Sequence, residues 1–244
     1  MYSENRRDQA IYRASGDLRR LCQLGGIAAL LLIVYSLATM LQMVILGGQP
    51  ASAAQAFDLL QHHRVVGLLR LDLPTIAVMP LYYLLFLGLF AALKSTNRAY
   101  ALLSTALAFT GVTLLLATPT ALSMVALSDK YAAATSDAVR MQFLVAGEAL
   151  MAADIWHGTG AILGGVLVQC GAVLISFVML RGGVFSKATA WLGIVMHGLD
   201  LAHIVCGLFL PISGVVLLAI AGPFYPIWFF MVGRRLLQLA ARKE

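Results

Sequence analysis

The chain has 244 residues, of which 61% are hydrophobic and only 11% charged, with a mean hydropathy of +0.88. Soluble domains carry about 25% charged residues, so this chain has too little polar surface to coat a water-soluble fold, and its solvent is lipid. The net charge of +6 does not point to a nucleic-acid partner, because the basic residues flank apolar runs and form no patch interleaved with aromatic side chains.

The first twenty residues hold Arg6, Arg7, Arg13, Arg19 and Arg20. The apolar run behind them exceeds the roughly 7–15 residue core of a signal peptide. Residues 1–20 therefore read as a basic cytoplasmic segment ahead of a retained helix. A span needs about 20 apolar residues, and six segments qualify: Leu21–Leu46, Leu71–Leu93, Ala99–Leu127, Ile155–Leu180, Ala188–Leu210 and Ile212–Val232. Pro211 marks a turn between the last two, since proline lacks an amide donor and disfavours helix in the residue before it. The expected fold is all-α, a six-transmembrane-helix bundle over residues 21–237 with amphipathic helices on its outer face. A basic tail, residues 238–244, follows. With the N-terminus in the cytoplasm, thirteen Lys and Arg fall inside and four (Arg64, Arg70, Lys130, Arg140) outside, which puts both termini in the cytoplasm.

Between the first two spans, Ala53, Phe57, Leu60 and Val65 recur at roughly helical spacing. They predict an interfacial helix over Ala51–Gly67 on the outer leaflet. "SDAVRMQFLVAGEALMAADIW" predicts a second outer helix, capped by Ser136 or Asp137 and running on into the fourth span. Together they would roof the outer end of the bundle. Asp58 and His62 form a surface pair, and Arg70, Asp72 and Glu148 read as interfacial charges at helix ends. Trp156, Tyr225 and Trp228 read as interfacial or packing aromatics. Gly160 and Gly164 form a small-xxx-small step for close helix approach. Pro74, Pro80, Pro119, Pro223 and Pro226 interrupt the second, third and sixth spans.

Asp200 lies near the middle of the fifth span. A charge there cannot face lipid without a cost of a few kcal/mol. His197 and His203 sit one helical turn away on either side, so either imidazole is its expected partner. The fourth span opens with Asp154 and His157 at the same spacing. Asp-x-x-His thus occurs on two sequential helices, and paired carboxylate-x-x-His steps can hold metals in helix bundles. Asp154, His157, Asp200 and His203 are the candidate ligands of a divalent metal such as zinc. Helical rise places His203 about 22 Å above the inner boundary and His157 about 35 Å. One metal reaches both only if the fourth helix tilts or kinks.

"LLRLDLPTIAVMPLYYLLFLGLFAALKSTNRAYALLSTAL", "VLISFVMLRGGVFSKATAWLGIV" and "FYPIWFFMVGRRLL" carry a resemblance. They look like the second and third spans, the turn between the fourth and fifth, and the final helix of the bacterial integral membrane proteins of the domain of unknown function 4386 family. The resemblance runs from about Leu21 to Leu237 and implies a compact six-helix bundle in the bacterial inner membrane. It brings no activity and no catalytic residues with it.

No P-loop, G-x-S-x-G elbow, dinucleotide fingerprint or H-E-x-x-H occurs. The leading expectation is an outer-facing intramembrane pocket in which Asp200, His197, His203, Asp154 and His157 bind or transform a lipid or other apolar molecule. As an enzyme it would use acid/base or metal-assisted chemistry, on an isoprenoid among other substrates. The alternatives are a redox protein in which two of His157, His197 and His203 ligate haem, a homo-oligomer or accessory subunit within a larger membrane complex, and a transporter of inverted repeats.

Overall fold

The computed structural model describes residues 2–241, with side chains from Gly16 onward except those of Pro211 and Val215. The side chains of Arg6, Arg7 and Arg13, and the tail residues Arg242 and Lys243, lie outside the described residues. So does part of the basic-residue count. Among the described residues there are twelve helices and no strand: α1 (Tyr2–Ile45), α2 (Ala53–His62), α3 (Arg64–Arg70), α4 (Leu73–Val78), α5 (Pro80–Leu93), α6 (Arg98–Leu116), α7 (Ala121–Ala133), α8 (Asp137–Ala152), α9 (Thr159–Gly182), α10 (Lys187–Gly207), α11 (Pro211–Ala221) and α12 (Phe224–Ala241). Six segments are long and apolar enough to cross a membrane: Gly16–Ile45, Leu73–Leu93, Arg98–Ala133, Thr159–Gly182, Lys187–Gly207 and Ile212–Ala241. This is the all-helical architecture of a multi-pass membrane protein.

The chain divides into two compact units. One holds residues 1–36, 81–110 and 167–244, the other residues 37–80 and 111–166. In the first unit, α1 and α5 cross at Gly25 and Gly88. A Cβ on Gly25 would stand 2.8 Å from the Gly88 Cα, so the backbones touch there and only glycine fits. The fully buried core of this unit includes Leu32, Leu85, Leu89, Ile175, Met179, Met196, Trp228 and Phe229. His203 on α10 hydrogen-bonds through Nδ1 to the Gly214 carbonyl on α11 at 2.8 Å, across the turn formed by residues 208–210.

In the second unit, α2 buries Ala53, Ala56, Phe57 and Leu60 in a cluster with Leu71, Ala121 and Met124. The apolar stripe expected to lie on a leaflet is thus covered by protein, from α7 and α8. The expected single helix over Ala51–Gly67 is two: α2 ends at His62, the non-helical backbone of His63 (φ −139°, ψ 59°) breaks the ladder, and Val65 turns outward at 70% exposure. The Asp58–His62 pair forms at 3.1 Å. Ser136 caps α8 by accepting from the Val139 amide at 3.4 Å. Contrary to expectation, α8 does not run on into the fourth span, because residues 153–158 form a turn and α9 begins only at Thr159. Within this unit Gly164 lets α9 press on α6, where a Cβ would come 2.8 Å from the Gly111 carbonyl oxygen.

Candidate functional site: a buried polar network on three helices

Spans in lipid satisfy their backbone groups internally, so a polar side chain within them needs another side chain or a freed carbonyl. In the first unit three helices supply such partners. Gln169 comes from the middle of α9, His197 and Asp200 from α10, and Tyr225 from the first turn of α12. The Gln169 amide Nε2 donates to Asp200 Oδ2 at 2.5 Å and to the Tyr225 hydroxyl at 3.0 Å. The Tyr225 hydroxyl donates to the same Asp200 oxygen. With Nε2 turned to the carboxylate, Gln169 Oε1 faces His197 Nδ1 at 2.6 Å. The network therefore assigns the proton of His197 to Nδ1, leaving Nε2 as a bare acceptor.

Aromatic rings wall the network. The His197 ring meets the Trp228 ring edge-on at a centroid separation of 4.8 Å and the Tyr225 ring at 5.5 Å. His197 and Trp228 are each 1% exposed. Two buried side-chain atoms among the described residues have no partner: His197 Nε2 and Trp228 Nε1. One is an acceptor and the other a donor, and they sit on rings in direct contact. An orphaned buried polar atom costs about 1–3 kcal/mol, so this pair needs an explanation.

Asp200 is buried against protein, as expected, but neither His197 nor His203 is its hydrogen-bond partner. His197 is engaged by Gln169 and His203 by Gly214, while Asp200 is held by Gln169 and Tyr225. The reason is reach. Side chains one turn apart on a helix run side by side, whereas Gln169 and Tyr225 approach from neighbouring helices. Gln169 stands alone in an apolar run, with no spacing pattern around it to mark it in the sequence. Its one signal in the sequence is that it is the sole amide side chain in the span after His157. Tyr225, expected as an interfacial or packing aromatic, is a network member.

The other candidates lie in the second unit. Asp154 is 1% exposed and fully used: Oδ1 accepts from the amides of Trp156 and His157 at 2.8 and 2.9 Å and from His157 Nδ1 at 2.9 Å, and Oδ2 from Gln49 at 2.6 Å. It braces the turn between α8 and α9, while His157 itself is exposed. Asp72, Arg70 and Glu148 also do structural work. Asp72 accepts from the Thr120 and Ala121 amides at 2.5 and 2.9 Å, Arg70 donates to the Gly48 carbonyl at 2.7 Å, and Glu148 accepts from the Ala53 amide at 2.8 Å.

Asp154 and His157 thus belong to one unit and Asp200 and His203 to the other. Among the described residues no three His, Cys, Asp or Glu side chains gather as a metal site. Nor does α10 offer a pair of haem ligands. His197 and His203 are six residues apart on one helix, so they point about 120° apart around it and do not face each other across a ring. Comparison of the chain with protein-family models, with characterised proteins and with solved structures finds no match.

Proposed function

We propose that this is a multi-pass protein of the bacterial cytoplasmic membrane, akin to the domain of unknown function 4386 family, with both termini cytoplasmic, and that its network on α9, α10 and α12 binds an apolar small molecule carrying a hydroxyl group. The observation that carries this reading is the orphaned pair, His197 Nε2 and Trp228 Nε1. A hydroxyl donates to the first and accepts from the second. The surroundings are apolar and aromatic, as in small-molecule sites with a few convergent polar groups, and they suit a lipid or isoprenoid alcohol.

As chemistry, the arrangement supports proton handling at the ligand hydroxyl. His197 Nε2 is the base in position, and Gln169 fixes its tautomer from behind. Asp200 and Tyr225 hold Gln169 in turn. In this reading Asp200 is a positioning residue.

The test is the purified protein itself. Mass spectrometry of molecules retained by the wild type should show one hydroxyl-bearing apolar species enriched over bulk lipid. It should be lost from His197→Phe and retained by His203→Phe, with both variants folded. Equal retention by the two variants, or no enriched species, refutes the reading. Sidedness is tested separately: cysteines placed at Ala51 and Ser136 should react with an impermeant reagent from outside the cell.

A second reading has its own observation. Asp200, Gln169 and Tyr225 satisfy one another, as a polar pin that registers three helices in a structural or accessory subunit would. In that case His197→Phe changes only stability.

A further inference from the structure

Eight basic side chains are described in the first unit: Arg19, Arg20, Lys94, Arg98, Arg181, Lys187, Arg234 and Arg235. Its described acids are Asp17 and Asp200. The basic residues gather at one end. Arg19 donates to the Ala240 carbonyl at 3.0 Å and Arg235 to the Val184 carbonyl at 2.5 Å. The α5–α6 turn touches the end of α9, where a Cβ on Gly182 would come 2.8 Å from the Thr96 Cγ2. With Asp200 deep in the network, Asp17 is the one described acid left to oppose them.

Into this end opens a cleft of about 220 Å³ between α6 and α9, lined by Asn97, Tyr100, Leu174, Phe177, Val178 and Arg181. Its lining is divided along its length. Leu174, Phe177, Val178 and Arg181 are spaced 3, 1 and 3 residues apart, so they form one stripe on α9 that is apolar except at its terminal residue. Arg181 ends that stripe, and Asn97 and Tyr100 face it from the start of α6. Asn97 spends its carbonyl oxygen on the Tyr100 amide at 3.1 Å, which leaves its NH2 group to donate outward. Among the described residues the side chains of Arg181, Lys94 and Arg98 have no hydrogen bond or ion pair. Tyr100 and Phe177 are 48% and 47% exposed. The polar end therefore offers donors and positive charge, with no acidic side chain in its lining, and the apolar stripe continues toward the middle of the span.

We propose that this cleft binds one anionic phospholipid, with its phosphate against Arg181, Asn97 and Tyr100 and an acyl chain over Phe177 and Leu174. A guanidinium and neutral donors suit a phosphate. The surplus of basic over acidic side chains among the described residues of this end favours an anionic headgroup over one carrying its own ammonium. The site shares no residue with the Asp200 network and stands without it.

Native mass spectrometry of the full chain, released from detergent with phosphatidylglycerol or phosphatidylcholine of matched acyl chains, tests the assignment. The wild type should retain one phosphatidylglycerol with about tenfold preference. R181Q should lower that retention about tenfold, the loss of one charge-assisted contact. F177A should lower it several-fold with every charge in place. K187Q, a basic change outside the cleft, should leave it unchanged. All three positions are exposed, so folding is expected to survive, and circular dichroism checks it. Equal retention of the two lipids, equal losses in R181Q and K187Q, or no loss in F177A would overturn the proposal.

Discussion

Asp154-Ile-Trp-His157 and Asp200-Leu-Ala-His203 share one spacing and meet two fates. At Asp154 the chain is in a turn, so the amides two and three residues ahead have no helical acceptor, and the carboxylate folds back to take both. The imidazole follows its own backbone onto the same oxygen. At Asp200 the chain is mid-helix, and every nearby amide is committed to a carbonyl four residues back. The carboxylate must look sideways, and it finds Gln169 and Tyr225 on two other helices. Whether an Asp-x-x-His step is a local brace or an interhelical link is decided by backbone amide supply, which the step itself does not encode.

That comparison can be broken by substitution, monitored as denaturant unfolding in detergent. Asp154→Ala should have the largest effect, about 2–3 kcal/mol, because it strands two amides and the Gln49 donor in a closed turn. A loss under about 0.5 kcal/mol would mean the turn holds without its brace. Asp200→Leu should cost less, about 1–2 kcal/mol, since interhelical hydrogen bonds in membranes average about 0.6 kcal/mol. Asp200→Asn keeps an acceptor and should cost about 0.6 kcal/mol or less. If Asp200→Leu proves costlier than Asp154→Ala, the ranking of brace over link is wrong. His203→Phe removes the bond to Gly214 and should cost about 0.6 kcal/mol. His157→Ala should be smallest, about 0.3 kcal/mol, because its imidazole is exposed and its bond to Asp154 is duplicated by the backbone. A His157 effect as large as that of Asp154 would show that the imidazole, not the amides, closes the turn.

The spans were legible because hydropathy is a sum over some twenty residues, and such sums survive local error. The proline breaks were legible too: Pro80 and Pro211 begin α5 and α11, and Pro119 separates α6 from α7. Asp200's burial followed from the cost of the alternative. Its partners did not follow, because Gln169 lies 31 residues and Tyr225 25 residues away, and their meeting depends on how three helices rotate about their axes. A mid-span polar residue announces that it needs a partner without saying which. The α2 helix shows the same limit. Its stripe was plain, but a stripe reads alike whether lipid or protein covers it.

The break at Pro119 also bears on how the chain is made. The first turn of α7 has amides that the preceding helix cannot serve, and Asp72 takes those of Thr120 and Ala121. Bare amides in the hydrocarbon layer cost several kcal/mol each. Asp72 lies 48 residues ahead of Thr120, so it leaves the ribosome first. The acceptor is therefore made before the donors it relieves, and the amides that open α7 find their carboxylate already synthesised.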